Sequence, residues 1–139
     1  MEILIKNHFS IEQLEEMKKI YHLVGWNRHN KEIIKQIFEN SNLVAVATID
    51  GKVVGFGRVL TDGIFNAAIY DVVVHPDFQK QGIARNILNN LLENLNHISC
   101  IHLIATTGNE DFYRKCGFKK LKTGMARYHR EDLDREYLE

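Results

Sequence analysis

Tyr70-Asp71-Val72-Val73-Val74-His75-Pro76-Asp77-Phe78-Gln79-Lys80-Gln81-Gly82-Ile83-Ala84-Arg85 reads as a strand, a proline turn, a short loop and the first turn of a helix. The nearly unbroken apolar run from Ala67 to Val74 predicts a strand in the middle of a sheet, covered on both faces. Beyond the turn, Ala84, Ile87, Leu88, Leu91 and Leu95 recur at helical spacing, with Arg85, Asn86, Asn89, Asn90, Glu93 and Asn94 opposite them. An amphipathic helix from Gln81 to Leu95 is predicted. A helix start presents unpaired backbone N–H groups and a partial positive charge, so the loop before it can hold a phosphate without any special side chain. Gly82 lets the backbone approach such an anion closely, although an isolated glycine there equally suits the start of a packed helix.

Upstream, Ile3 to Ile5 predict an edge strand. Ser10 and Gln13 form a capping box, with Phe9 and Leu14 as its hydrophobic staple. The helix that follows places Ile11, Leu14, Met17, Ile20 and Val24 inward, and a second carries Ile33, Ile34, Ile37 and Phe38. Leu43 to Ile49 and Lys52 to Leu60 are β-rich runs about Asp50-Gly51, a dipeptide suited to a two-residue hairpin turn. Downstream, a strand from Cys100 to Ala105, a short helix from Glu110 to Cys116 ended by Gly117, and closing strands at Phe118 to Leu121 and Met125 to His129 complete the order. This is a mixed α/β (α+β) arrangement, expected to form one domain over residues 1–139, whose obvious crossover runs from strand 67–74 through the long helix to strand 100–105.

Composition narrows the function. The chain has 139 residues, enough for one core, with 45% hydrophobic and 26% charged residues and no apolar run of membrane-spanning length. Eighteen basic and eighteen acidic side chains balance, removing the broad positive field on which non-specific nucleic-acid binding relies. Neither a membrane nor a nucleic acid is the expected partner. The opening residues lack a secretory signal pattern, so a cytoplasmic location is expected. Cys100 and Cys116 form no CxxC pair and read as small buried hydrophobes.

Gln79-x-x-Gly82-x-Ala84, after a Val-Val-Val-His-Pro strand exit, resembles the acetyl-coenzyme A signature of the GCN5-related N-acetyltransferases, the GNAT family. The element order is similar to that family over nearly the whole chain. The resemblance implies a mostly antiparallel central sheet flanked by helices, with a cofactor wedge where strand 67–74, ending beside a bulge, splays from parallel strand 100–105. It further implies that backbone groups of Val72, Val73 and Val74 pair with the pantetheine arm, one N–H polarising the thioester carbonyl. The N–H groups of Gln79, Lys80, Gln81, Gly82, Ile83 and Ala84 then bind the pyrophosphate. Lys80 and Arg85 add charge near the phosphates or simply face solvent.

Asn109-Glu110-Asp111-Phe112-Tyr113-Arg114-Lys115-Cys116-Gly117-Phe118 resembles the family's N-x-x-x-x-F-Y-x-x-x-G-F segment with a shorter first interval. By that likeness Asn109 and Tyr113 join the cofactor site, and Tyr113 is the general acid for the departing thiolate; packing like Phe112 and Phe118 is the plainer role. Asp71 has two readings. A lone carboxyl in a buried apolar strand should have a raised pKa and suits a base for the amine, directly or through water. It equally suits a structural partner for a neighbouring strand or an arginine. Asp62, Asn66 and His75 lie near strand ends, where turn chemistry explains them. The loop Gly25-Trp26-Asn27-Arg28-His29 lies between the two N-terminal helices, which by the family likeness help roof the acceptor pocket, with Trp26 a pocket wall or a core residue.

Phe65 to Val74, Asp111-Phe112-Tyr113 and Gly124-Met125 are similar to the arylalkylamine (serotonin-type) members of the family. Competing signatures are missing. Gly55-x-Gly57 has Leu60 where a dinucleotide fingerprint needs its third glycine, and no Walker loop, G-x-S-x-G elbow or HExxH occurs. Cys100 and His102 share a strand face but make two metal ligands at most. The expected activity is direct transfer of acetyl from acetyl-coenzyme A to a primary amine, without a metal or an acyl-enzyme. A small-molecule acceptor is favoured over a protein lysine or N-terminus. A non-catalytic acyl-coenzyme A-binding module is the rival, and dimerisation is common among such proteins although no interface is legible here.

Overall fold

The computed structural model describes residues 2–139. The chain divides into two compact units, one ending at Ile104 and one spanning Ala105–Glu139. The first is built on a five-stranded sheet in sequential order: β1 (Ile3–Lys6), β2 (Leu43–Ile49), β3 (Lys52–Thr61), β4 (Asn66–Val74) and β5 (Cys100–Leu103). Neighbours from β1 to β4 run antiparallel, while β4 and β5 run parallel, joined by helix α3 (Ile83–Glu93). The expected mixed, mostly antiparallel sheet flanked by helices is what the sequence forms. At the β2–β3 hairpin, Asp50 and Gly51 take φ values of 52° and 79°, the double positive φ that a type I′ turn demands.

Helix α1 (Leu14–Leu23) follows a 3-10 turn at Ile11–Gln13, where the Gln13 side chain accepts from the Ser10 N–H at 3.0 Å. Ile11, expected inward, is exposed because it sits in that turn, off the apolar stripe of α1. Asn30 caps helix α2 (Lys31–Glu39) by accepting from the Ile33 N–H at 2.8 Å. Together α1 and α2 bury Leu14, Met17, Ile20, Tyr21, Ile34 and Phe38 against Val44, Val46, Val53, Phe56 and Val73. Such burial of large apolar side chains is the main source of stability here.

The other sheet face receives α3, which approaches closely because β3 carries Gly55 and Gly57 there. A Cβ on Gly57 would lie 3.1–3.2 Å from Leu91 and Ile87, and one on Gly55 would lie 2.9 Å from the Val73 carbonyl oxygen. Those glycines serve helix packing, which is why they lack the rest of a nucleotide motif. Gly55→Ala is expected to lower stability by about 2 kcal/mol, since a backbone oxygen cannot step aside. Urea unfolding checks this, and an unchanged midpoint would contradict the close approach.

Helix α3 is shorter than expected. It starts at Ile83, not Gln81, and Ile83 is buried while Ala84 is only half-buried. The central strand also differs from its expectation. Ala67 and Ile69 are buried, yet Tyr70 is exposed and Asp71 and Val72 are half-buried, so β4 is not covered on both faces along its length. The parallel neighbour β5 ends at Leu103, short of the expected Ala105, and is an edge strand. Its alternation turns Cys100 and His102 outward, so Cys100 is not a buried hydrophobe; Cys116 is half-buried. No helix among the described residues is long and apolar enough to cross a membrane.

The second unit contains helices α4 (Glu110–Lys115) and α5 (Glu131–Tyr137). The closing strands expected at Phe118 to Leu121 and Met125 to His129 do not form, and α5 was not foreseen. Phe118-Lys119-Lys120-Leu121 lacks period-2 alternation, and neither segment has a ladder partner to satisfy its backbone. Gly117 does end α4 as expected: at φ 96° it donates to the Arg114 carbonyl, while the Phe118 N–H reaches the Tyr113 carbonyl at 3.0 Å, a Schellman pattern.

Candidate active site

The decisive local feature is a break in β4. Arg58 pairs with Tyr70 and Phe56 with Val73, so Asp71 and Val72 together oppose the single residue Gly57. Asp71 takes up the extra residue in the left-handed region, φ 55°, which aspartate tolerates better than most side chains. The resulting bulge re-aims the end of the strand. On its other edge, the β4–β5 ladder runs only from Asn66↔Cys100 to Ile69↔Leu103, while β4 continues to Val74. A wedge of unpaired strand edge is left open.

Backbone polarity alternates along a strand. The His75 N–H donates to the Val54 carbonyl at 2.8 Å, which sets His75 and Val73 toward β3 and Val72 and Val74 toward the wedge. Of the three valines expected to offer backbone groups to a cofactor, Val73 is therefore turned to its own sheet. The Val74 carbonyl is engaged too, accepting from Gln79 Nε2 at 3.1 Å, which ties the loop to the strand end. The groups left open are the Val72 N–H and carbonyl and the Val74 N–H.

The loop begins with a 3-10 turn at Pro76–Phe78, where His75 Nδ1 accepts from the Asp77 N–H, the turn role its position suggested. Lys80 at φ 65° and Gly82 at φ 81° then alternate with right-handed or extended neighbours, a pattern that turns successive N–H groups inward. Among the described residues, the N–H groups of residues 80–85 donate to no protein acceptor, and Gly82 is the N-cap of α3. A Cβ built on Gly82 meets nothing within 4 Å, so the space before it is not filled by protein. Lys80 and Arg85 are exposed and form no ion pair among the described residues. This chemistry fits a diphosphate: unused donors, a helix start and two nearby cations.

Beside the bulge, Asp71 has the arginine partner that the second of its two readings expected. Its Oδ2 accepts from Arg58 Nε and from the Tyr21 hydroxyl, both at 2.8 Å, with only 11% of its side chain exposed. Arg58 also reaches Ser41 Oγ and lies over the Tyr70 ring at 5.1 Å. Both pairing residues lie where the fold requires them, one on the adjacent strand and one in α1. Among the described residues Oδ1 has no protein partner and is not one of the buried unpartnered atoms, so it meets solvent. Asp71→Ala is expected to destabilise the protein by about 3 kcal/mol by stranding Arg58, which is 15% exposed. Thermal or urea unfolding reads it, and wild-type stability would show the pair to be dispensable.

Trp26 is half-buried against Tyr21, at 5.7 Å between ring centroids, while Asp62 closes its own loop by accepting from the N–H groups of Ile64, Phe65 and Asn66. Those bonds hold the Asp62 carboxyl below its usual range. In the second unit Tyr113 is half-buried, its ring 5.0 Å from Phe112 and 6.0 Å from Phe118. Burial, with a smaller contribution from the Cys116 thiol, pushes its phenol above the ordinary value, so it is a neutral donor at pH 7. Asn109 is the N-cap residue of α4 but makes no side-chain cap; its amide donates to Thr106 Oγ1 instead. No group of three or more His, Cys, Asp or Glu disposed to hold a metal is found among the described residues.

Sequence reasoning missed Tyr21 and Arg58. Arg58 had a signal, being the one charge inside the apolar Val53 to Leu60 run beside a strand with one carboxyl. Tyr21 had none, since it occupies an ordinary core position of α1.

A splayed parallel strand pair, a bulge and unused N–H groups at a helix start form the framework that an acyl-transferase fold requires. A family profile described as acetyltransferase (GNAT) domain matches residues 5–129. The uncharacterized N-acetyltransferase ycf52 of Pyropia yezoensis is 36% identical over 118 residues, covering 81% of this chain and 68% of that protein. Serotonin N-acetyltransferase 2, chloroplastic, of Oryza sativa subsp. japonica is 32% identical over 108 residues, 73% of this chain and 54% of that protein. The solved GNAT family acetyltransferase SP0256 of Streptococcus pneumoniae superposes with a TM-score of 0.79 at 31% identity, covering 93% of this chain and 99% of that one. The chain belongs to the GNAT family of N-acetyltransferases.

Proposed function

We propose that this N-acetyltransferase moves the acetyl group of acetyl-coenzyme A to the primary amine of a small molecule, by direct attack within a ternary complex. The observation that supports it most is the open edge of β4 beyond Ile69, leading into the unused N–H groups of residues 80–85. The diphosphate is held by backbone N–H groups from Lys80 to Arg85, with the Lys80 and Arg85 side chains supplying charge; the expected Gln79 donor is not among them, because its N–H donates to the Pro76 carbonyl at 3.4 Å. The pantetheine arm pairs with Val72 and Val74, and an N–H there polarises the thioester carbonyl as negative charge develops on its oxygen.

The acceptor arrives as an ammonium. Removing its proton at pH 7 costs about 4 to 5 kcal/mol for a pKa near 10.4, so a base contributes. Asp71 Oδ1 anchors the ammonium and takes one proton, directly or through water; the freed lone pair attacks the thioester carbon, the C–S bond breaks as Tyr113 gives its proton to the thiolate, and the second nitrogen proton leaves through water to restore the phenol. Holding both substrates in place supplies much of the rate. The cytoplasm is the proposed compartment, reducing enough to keep both cysteines as thiols.

The test is coenzyme A release from acetyl-coenzyme A with tryptamine, spermidine, glucosamine and a lysine peptide. Amine-dependent release supports transfer, and preference for the peptide moves the acceptor to protein. Tight coenzyme A binding without release over this panel favours a regulatory binding module instead.

A further inference from the structure

Asp71 owes its setting to a residue that no functional motif contains. Tyr21 is fully buried, 50 residues away in the chain, and its hydroxyl meets Asp71 Oδ2 at 2.8 Å. Its ring is clamped by the His29 imidazole, stacked at 4.1 Å and 12°, by Phe56 at 4.9 Å and by Trp26 at 5.7 Å. A buried hydroxyl normally donates to the backbone or water; here it is spent on a carboxylate at a strained bulge residue, φ 55°. Next to it, His29 Nδ1 is the one buried side-chain nitrogen or oxygen without a partner among the described residues.

We infer that Tyr21 is a positioning residue for the transfer reaction: from the core it pins Oδ2 of Asp71 and so aims Oδ1 at the acceptor's ammonium. The inference rests on the proposed role of Asp71. Arg58 neutralises the carboxylate from the strand side, and Tyr21 orients it from the helix side. Burial first, and the Asp71 charge second, push the Tyr21 phenol far above its ordinary value, so it donates at every working pH. The charged and titratable groups facing Asp71 are Tyr21, Arg58 and, across the Tyr21 ring, His29, whose imidazole burial holds below its ordinary value.

Tyr21→Phe keeps the ring stack and removes only the donor. In the full-length protein, kcat/KM for the best amine among tryptamine, spermidine, glucosamine and a lysine peptide should fall about tenfold to a hundredfold. The loss should fall mainly on kcat and not on the amine KM, because the acceptor still binds while its base is misaimed. Acetyl-coenzyme A affinity should stay within about twofold. Unchanged kcat/KM would overturn the inference, and so would a loss confined to the amine KM or a parallel loss of acetyl-coenzyme A affinity, either of which would assign Tyr21 to packing alone. Wild-type protein that binds acetyl-coenzyme A but acetylates none of these amines defeats the transfer reading instead. In that case the NMR chemical shift of the Asp71 carboxyl carbon, compared between the two proteins at one pH, still decides whether Tyr21 holds the carboxylate: a changed shift supports the contact and an identical one overturns it.

Discussion

Replacing Tyr113 with phenylalanine should lower kcat by about two orders of magnitude while leaving acetyl-coenzyme A affinity within about twofold, the usual scale for losing a positioned general acid. The ring keeps its edge contacts with Phe112 and Phe118, and the Schellman turn at Gly117 uses only the Tyr113 carbonyl, so local structure has no reason to change. A phenol near pKa 10 protonating a thiolate near 8.5 is uphill by about 2 kcal/mol, so part of the effect is hydrogen-bond stabilisation of the leaving sulfur. The half-buried setting raises the Tyr113 phenol further. The acid works while protonated, so the wild-type rate should persist as pH rises and fall only above the ordinary phenol range. Steady-state kinetics against pH read both effects. Equal turnover in the two proteins would remove Tyr113 from the reaction and leave it a packing residue.

Gly82→Val should abolish acetyl-coenzyme A binding at concentrations that saturate the wild type, a loss of more than about a hundredfold by calorimetry, equivalent to about 3 kcal/mol. Two physical effects act together. At φ 81° a β-branched residue is strained, and its side chain would enter the space that the Gly82 backbone leaves open. That space contains no protein atom within 4 Å, so protein packing alone does not require the glycine for room. Circular dichroism separates this from unfolding. Undiminished affinity in a folded variant would mean that the diphosphate is held elsewhere.

Much of this architecture was legible because its signals are local. Asp50-Gly51 demands a tight hairpin, Ser10 and Gln13 mark a helix start, and Gly117 ends α4, each through the conformational limits of a few adjacent residues. The helix boundary at Ile83 and the absent strands after Gly117 were misread. Helix ends respond to tertiary packing, and a strand exists only where a partner completes its ladder.

Sequence alone determined the loop of free N–H groups at the start of α3, because those donors belong to consecutive peptide units whose geometry glycine and the strand-to-helix transition dictate. Only tertiary structure decided the fate of Asp71. Its partners lie 13 and 50 residues away, and periodicity records which face a side chain takes but not which distant hydroxyl or guanidinium the fold brings to it. The same holds for Val73, whose direction toward β3 follows from a bulge register that appears only once β3 and β4 are paired.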